Sequence, residues 1–414
     1  MPRGQRRAEP PLNQPLQRRL GTADAVIVGL GSMIGAGVFV VFAPAAAVAG
    51  SGLLFSLAVA ALVAYCNATS SARLAAQYPQ SGGAYVYGRE RLGAFWGYLA
   101  GWSFVVGKTA SCVAMALTVG LYLWPAYAHT VAVAAVVALT AVNYRGIQKS
   151  ALLTRVIVAV VLAVLVGVVV LVTTSGRIDV SRVTPTGGSV IGVLQAAGLL
   201  FFAFAGYARI ATLGEEVRDP ARTIPRAIRL SLGITLVVYT TMALTLLAIL
   251  GPEQLAAATA PLVDAVRAAG AGGFEPVVRA GAAVAALGSL LSLILGVSRT
   301  TLAMARDEHL PRSLASIHPR FAVPHRAEIA VGAVVAVVAA VTDVRAAIGF
   351  SSFAVLVYYG IANASACTLG RRAIPAMGLV GCLVLALFLP LSSVIIGVAL
   401  IAFGATIYAV RRLR

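Results

Sequence analysis

Charged side chains are scarce in this sequence of 414 residues, and their scarcity excludes an ordinary soluble protein. Only 11% of the residues are charged, whereas soluble domains carry about a quarter. Hydrophobic residues make up 60% of the chain. This composition indicates an integral membrane protein embedded in a lipid bilayer.

Cysteine and histidine are also rare, with four residues of each type. The cysteines all lie inside apolar stretches, where a thiol packs like a small aliphatic group, so no disulfide is expected. The histidines lie in loops or at the ends of apolar stretches and lack the spacing of metal ligands. No nucleophile–base pair is visible either. The sequence therefore predicts no metal centre, no cofactor and no enzyme.

Long apolar stretches dominate the chain, and twelve of them could cross a hydrocarbon core of about 30 Å. The first is too long for a signal peptide and follows a polar tail, so no cleavable signal is expected. In chain order, the predicted spans are 23–48, 52–76, 93–123, 126–143, 151–174, 188–213, 228–250, 275–304, 327–342, 345–369, 374–389 and 391–410.

Basic residues outnumber acidic ones, which gives a net charge of +18. A basic chain can bind nucleic acid, but the distribution of these charges opposes that interpretation. If both termini lie inside the cell, the inner side carries 25 of the 32 Lys and Arg residues and the outer loops carry 5. This bias is the positive-inside pattern of a multi-pass protein. We expect a cell-membrane protein with cytoplasmic termini and no nucleic-acid partner.

Four glycines interrupt the first apolar stretch, in the segment GLGSMIGAGVFV at residues 29–40. Each glycine costs a helix roughly 1 kcal/mol relative to alanine. The spacing departs from a dinucleotide-binding fingerprint, and no acid follows at residues 45–60. Close helix packing through Gly31 and Gly35 is a second explanation. A broken helix is the third, because unwound backbone beside a cavity would present free N–H and C=O groups to a substrate.

A matching interruption occurs in the sixth apolar stretch, where the segment GLLFFAFAGYARI carries Gly206 midway along the run. Two helices broken at corresponding positions of an inverted repeat are typical of secondary transporters. The pair therefore favours the broken-helix interpretation of the first span. Its glycines would let the helix open around a substrate.

Four segments resemble motifs of the amino acid–polyamine–organocation (APC) family. The segment GSMIGAGVF resembles the motif of the family's first span, and EEVRDPARTIPRAI resembles the signature after its sixth span. The segments YPQSGGAYVYGRERLG and ARDEHLPRSLASIHPRFAVPHRA resemble the loops after the second and eighth spans. The matches follow the family's order, and the resemblance covers residues from about 24 to 370.

The resemblance implies an all-α membrane fold of about 12 transmembrane helices, built as a LeuT-type 5+5 inverted repeat. Helices 1 and 6 are broken in this fold, and two further helices are peripheral. We expect a cytoplasmic tail at residues 1–22, a first repeat at 23–174 and a second repeat at 188–369. The final helices and a short cytoplasmic C-terminus would occupy residues 374–414.

The resemblance also implies where a substrate amino acid binds. The segment Gly35–Gly37 would hold the carboxylate, and carbonyls of the first and sixth spans would meet the amino group. For the aromatic residues of the sixth span, simple core packing is an equal alternative. The implied substrate-binding residues are Ile34, Gly35, Ala36, Gly37, Ser111, Phe201, Phe204, Ala205 and Tyr207.

Two cations inside predicted spans are candidates for coupling transport to protons. Lys108 lies about 15 residues, or roughly 22 Å, from the inner end of its span. Burial without a neutralising acid would favour its neutral form, so Lys108 could carry a proton. Alternatively, it stays charged and donates to carbonyls of the broken first span. Arg209 is the other candidate, although its head group could extend to the membrane surface.

Two further pairs of residues have predicted roles. Ser289 and Ser292 of the eighth span share a helix face. Their hydroxyls could bind sodium, which would then be the coupling ion in place of the proton. Glu215 and Glu216, at the inner end of the sixth span, could form part of a cytoplasmic gate. Many family members carry an acid where this chain has Ala208, so their proton-handling device is missing here.

The predicted function is secondary active transport of amino acids by alternating access. Neutral substrates are expected first, with the proton as the coupling ion. Amino acid exchange and sodium symport are alternatives within the same class. A transporter-like membrane sensor is the alternative from a different class.

Overall fold

The computed structural model is helical, and it contains no β-strand within the residues it describes. A single parallel backbone bridge joins Leu20 to Val217. The described residues are 20–78, 82–146, 151–184, 188–211, 217–321 and 323–412.

Ten helical segments within these ranges are long and apolar enough to cross a membrane. The helices at the ninth and eleventh predicted spans, with 17 and 16 residues, are slightly shorter. All twelve apolar stretches therefore form helices, as the sequence predicts. Apart from the first and sixth, the spans are Leu53–Gln77, Ala94–Leu123, Ala128–Tyr144, Ala151–Thr174, Pro220–Ala257, Glu275–Arg306, His325–Val341, Val344–Cys367, Ala373–Phe388 and Leu391–Arg412.

The seventh span is longer than its apolar stretch at 228–250, because its helix runs from Pro220 to Ala257. Proline fits the first turn of a helix, where its missing N–H would have no partner in any case. Near the other end, Gly251 adopts a φ of 73° and kinks the helix. Polar residues thus extend the helix beyond its hydrophobic segment.

The first and sixth spans are interrupted where the glycine pattern predicts. The first consists of Thr22–Met33, the single turn Gly37–Val40 and Phe42–Ala49. The sixth consists of Val190–Phe204, a 3-10 turn and Ala208–Ala211. Both interruptions lie deep among the other spans, which positions them to form a site.

The start of the first span and the loops after even-numbered spans lie at one end of the molecule, because each span reverses the direction of the chain. An ion pair of Asp24 with Arg155 ties the first span to the fifth there. The end also includes the short helix Ala84–Leu92 and the loop after the eighth span. We call it the basic end, comprising residues 20–24, 84–92, 217–222, 306–321, 323–325 and 408–412.

Candidate substrate site at the two helix breaks

The broken parts of the first and sixth spans contact each other directly. A Cβ atom on Gly206 would lie 2.5 Å from the carbonyl carbon of Ser32 and 2.7 Å from the backbone nitrogen of Met33. Backbone atoms cannot rotate away as a side chain can, so this approach requires glycine. Gly37 meets the sixth span in turn, because its Cβ would lie 3.0 Å from that of Ala203. The two breaks therefore form one interface.

Tyr239 of the seventh span bridges the two breaks. Its hydroxyl oxygen lies 2.5 Å from the carbonyl oxygen of Met33 and 3.0 Å from that of Ala203. In an uninterrupted helix each carbonyl would accept from the N–H four residues later. A buried polar group without a partner costs about 1–3 kcal/mol. The hydroxyl has a single hydrogen, which it can donate to either carbonyl, so one side chain lies against the interrupted backbone of both spans.

Lys108 also forms a hydrogen bond at the break in the sixth span. Its side chain is 7% exposed, and its Nζ donates to the carbonyl oxygen of Ala205 over 3.4 Å. The Tyr359 hydroxyl donates to the same oxygen over 3.1 Å. If Lys108 stays charged, the sequence predicts that it donates to carbonyls of the first span. That expectation is wrong, because the carbonyl that accepts from Lys108 belongs to Ala205 of the sixth span.

Ser289 of the eighth span lies beside the break in the first span. Its hydroxyl donates to the carbonyl oxygen of Gly31 over 3.5 Å, and its side chain fills the space that a Cβ on Gly35 would need. Ser292 instead donates to the carbonyl of Gly288 in its own helix. Only one of the two predicted sodium ligands thus contacts the interrupted backbone.

The break in the first span leaves backbone donors available. Among the described residues, no carbonyl accepts the N–H groups of Gly35 and Ala36. Free N–H groups at the start of a helical turn attract carboxylates. Both residues are buried, so a substrate would reach them only through an opening within the protein.

A cavity of about 390 Å³ lies next to both breaks. It reaches from the helix interruptions to exposed residues of the basic end. Its wall includes Gly31 and Ser32 of the first span together with a series of residues from the sixth. The predicted residues that line it are Lys108, Ser111, Ala205, Arg209, Ser289 and Ser292.

The predicted aromatic residues lie beside the cavity instead of lining it. Phe201 packs edge-on against Tyr359, with ring centroids 5.8 Å apart, and Phe204 packs against Tyr239 at 5.1 Å. Tyr207 stacks on Tyr359 at 4.9 Å. The cavity wall carries Phe202 in their place. In this conformation the three predicted aromatics hold helices together.

The remaining predicted substrate residues are buried beside the cavity, whereas the predicted gate residues fall outside the described chain. Ile34, Ala36 and Gly37 do not line the cavity, and Ile34 is only 2% exposed. The predicted gate residues Glu215 and Glu216 lie outside the described residues. Their role stays a prediction.

At the basic end, a polar cluster forms the mouth of the cavity. The Tyr85 hydroxyl donates to the Asp307 carboxylate and lies 3.0 Å from His309 Nδ1. Arg89 lies 3.5 Å from the same carboxylate. Burial raises the pKa of Tyr85, and Asp307 raises it further, so the hydroxyl stays a donor at neutral pH. Burial lowers the pKa of His309, although Asp307 opposes that effect.

Sequence inspection missed the tyrosines that donate to the interrupted backbone, Tyr239 and Tyr359. Both sit in apolar spans and are at most 1% exposed. A buried tyrosine hydroxyl needs a hydrogen-bond partner, which is the signal that could have identified them. Their acceptors could not be named without the packing of the helices.

Comparison with known proteins agrees with this geometry. The family profile described as "Amino acid permease" matches residues 20–410. The chain belongs to the amino acid permease family. It is therefore a transporter of the APC type and not an enzyme. Its relatives differ in the substrates that their names state.

An "Uncharacterized transporter" of Mycobacterium tuberculosis is 70% identical, over 96% of this chain and 92% of the relative. The "Branched-chain amino acid permease" of Bacillus subtilis is 28% identical, over 75% of this chain and 72% of the relative. The "Cationic amino acid transporter 7, chloroplastic" of Arabidopsis thaliana is 30% identical, over 84% of this chain and 65% of the relative. All three names state transport or permeation.

Proposed function

We propose that this permease moves neutral amino acids across the cytoplasmic membrane by alternating access, coupled to protons. The observation that carries the proposal is the cavity that joins both helix breaks to the basic end. The positive-inside rule assigns the basic end to the cytoplasm. This conformation then corresponds to a cytoplasm-facing state of the transport cycle.

The backbone of the substrate would bind at the first break. Its carboxylate fits the N–H groups of Gly35 and Ala36, which lack carbonyl acceptors among the described residues. Its ammonium group fits the carbonyls near Ile34 and the sixth span. We propose that the first span shifts slightly to admit it, because these groups lie beside the cavity wall.

The charge of the cavity supports a neutral substrate. Within the described residues, four cations line it against one acid, Asp307, which lies at the mouth. At an effective dielectric constant of about 20, like charges about 6 Å apart repel by roughly 3 kcal/mol. We therefore expect neutral amino acids to be preferred, acidic ones to follow, and lysine, arginine and polyamines to be the poorest substrates. The lining cations are Arg89, Lys108, Arg209 and Arg299.

Lys108 is the proposed link between protons and the site. It is buried, lines the cavity and contacts the carbonyl that the break in the sixth span exposes. A proton gained or lost by its amine would change the strength of that contact and hence the position of the break. Arg209 stays charged at all relevant pH values, so it would act only as a fixed charge.

The test is uptake by the purified protein in liposomes, with a panel of neutral, acidic and cationic amino acids. Separate experiments vary the proton gradient, the sodium gradient and the internal amino acid. We expect neutral amino acids to enter faster under an inward proton gradient. Strict dependence on internal substrate would support exchange instead, and a sodium requirement would support symport with sodium. Strong uptake of arginine or putrescine would contradict the substrate order.

Substitutions at Lys108 separate its two proposed roles. If the lysine carries the proton, Lys108→Gln abolishes stimulation by the proton gradient while substrate exchange persists. If it only positions the sixth span, Lys108→Gln impairs binding and exchange alike, and Lys108→Arg restores both. Arg209→Gln, which removes another cation of the cavity, should keep its response to the proton gradient. An unaltered proton response in Lys108→Gln would remove Lys108 from the coupling mechanism.

A further inference from the structure

Glu328 is a buried acid that the proposed mechanism does not use. It lies in the first turn of the ninth span, and its side chain is 0% exposed. Neither carboxylate oxygen has a hydrogen-bond partner within the described structure. Buried charges in proteins are paired, or the group becomes neutral. An unpaired carboxylate at this position therefore requires an explanation.

Other polar atoms without partners lie on the same face of the ninth span. Positions 325, 328 and 332 share one face of the helix, because they are three and four residues apart. The Nδ1 atom of His325 is buried and has no partner in the described chain. A Cβ on Gly332 would lie 2.5 Å from the Thr140 hydroxyl, which also lacks a partner there. This face of the ninth span therefore carries or meets three side chains whose buried polar atoms have no hydrogen-bond partners in the described chain.

The surroundings of Glu328 contain few charges. From the eighth span, Arg299 acts electrostatically on its carboxyl group. From the fourth span comes uncharged Tyr144, whose ring centroid lies 6.1 Å from that of His325. From the preceding loop, His318 lies 5.3 Å from the same ring.

The third span also packs against the ninth, but its lysine is engaged elsewhere. Lys108 donates to the carbonyl of Ala205 in the sixth span. Arg299 is therefore the charged neighbour that acts on the Glu328 carboxyl group. Arg299 also lines the substrate cavity, so the same side chain acts on the buried acid and forms part of the cavity wall.

Two opposing influences act on this carboxyl group. Complete burial without a partner favours the neutral acid. The positive end of the helix and the guanidinium of Arg299 favour the carboxylate. A group held between such influences can change its ionisation when its neighbour moves. This distinguishes Glu328 from the exposed acids of the loops.

We propose that Glu328 binds a proton reversibly and that its ionisation sets the position of Arg299 in the cavity wall. In the conformation described, the carboxyl group is neutral and unpaired. When it releases its proton to water at the basic end, the carboxylate draws Arg299 towards the ninth span. The link to amino acid movement rests on the proposed transport function, whereas the protonation of Glu328 does not.

Infrared spectroscopy of the purified protein in lipid tests the protonation directly. At neutral pH we expect a carbonyl band from a protonated carboxylic acid, which Glu328→Gln removes. Glu253→Gln makes the same chemical change at an exposed position and should keep the band. The band should disappear as the pH is raised. If Glu328→Gln removes no acid band at any pH, the proposal is wrong.

Transport assays test the consequence for Arg299. Glu328→Gln should keep counterflow exchange and lose the part of the pH dependence of uptake that Lys108 does not supply, whereas Glu253→Gln should keep both. Glu328→Asp retains a titratable group and should keep more of the pH dependence than Glu328→Gln, which guards against a folding defect in the glutamine variant. An unchanged pH profile in Glu328→Gln would overturn the coupling to Arg299. If the wild-type protein transports no amino acid, the proposed function fails while the infrared result still decides the state of Glu328.

Discussion

The first and sixth spans are both interrupted, but the backbone differs between the two breaks. In the first span, helical geometry stops at Met33 and resumes at Gly37. In the sixth, the chain continues through a 3-10 turn at Ala205–Tyr207. A 3-10 turn keeps the chain helical, whereas an open segment exposes both N–H and C=O groups. The first break therefore suits binding of a substrate backbone, and the sixth supplies mainly carbonyl groups.

Glycine has a different task in each break. Gly35 allows Ser289 to approach the interrupted backbone of the first span. Gly206 allows the sixth span to approach the backbone of the first, at Ser32 and Met33. A glycine in a break can therefore leave room either for a side chain of another helix or for the backbone of another helix.

Replacement of Gly206 by alanine should have the largest effect, because the added methyl group would meet backbone atoms of Ser32 and Met33. Overpacking of this kind costs about 1–3 kcal/mol or more. We expect transport to fall by about tenfold or more, since each 1.4 kcal/mol corresponds to about a factor of ten. Transport rates in liposomes measure the effect.

Gly233→Ala is the matched control for this substitution. Gly233 lies in the seventh span, and a Cβ there would meet nothing within 4 Å. Alanine should be tolerated or slightly stabilising at this helical position. If Gly206→Ala transports as well as Gly233→Ala, close contact between the two breaks is not required.

Tyr239→Phe should have an intermediate effect that exceeds the effect of Tyr359→Phe. The first change removes the hydroxyl near the carbonyls of Met33 and Ala203, at a cost of about 1–3 kcal/mol for a buried group. The second leaves the carbonyl of Ala205 with Lys108 as its donor, so we expect a loss of about 1 kcal/mol or less. Thermal unfolding of the detergent-solubilised variants measures both. Equal shifts would show that Tyr239 does not bridge the breaks.

Ser289→Ala should have the smallest effect, because its hydrogen bond to Gly31 is long, at 3.5 Å. Without sodium coupling, we expect Ser289→Ala and Ser292→Ala each to change transport by less than about fivefold, or about 1 kcal/mol. Initial uptake rates with and without sodium provide the measurement. A sodium response in the wild-type protein that Ser289→Ala abolishes would instead identify the first break as a sodium site.

Hydropathy and glycine placement determined much of the architecture from the sequence alone. Apolar stretches must form helices in lipid, since their backbone groups have no water to bind, and all twelve predicted stretches do so. The interruption after Met33 was predictable because glycines cluster there within an apolar run. The interruption at Gly206 was predictable from a corresponding position in the sixth stretch. The motifs also identified the family correctly.

Only the tertiary structure decided which side chains serve these breaks. Periodicity and composition describe one helix at a time, whereas a hydrogen bond such as that of Tyr239 depends on the distance between helices. For the same reason Lys108 was recognised as buried, but its acceptor in the sixth span was not. Glu328 is the second residue of the apolar stretch at 327–342, and only the packing of neighbouring helices encloses it completely. Burial of a polar group is a property of the assembled helices, because it is the neighbours that remove the water.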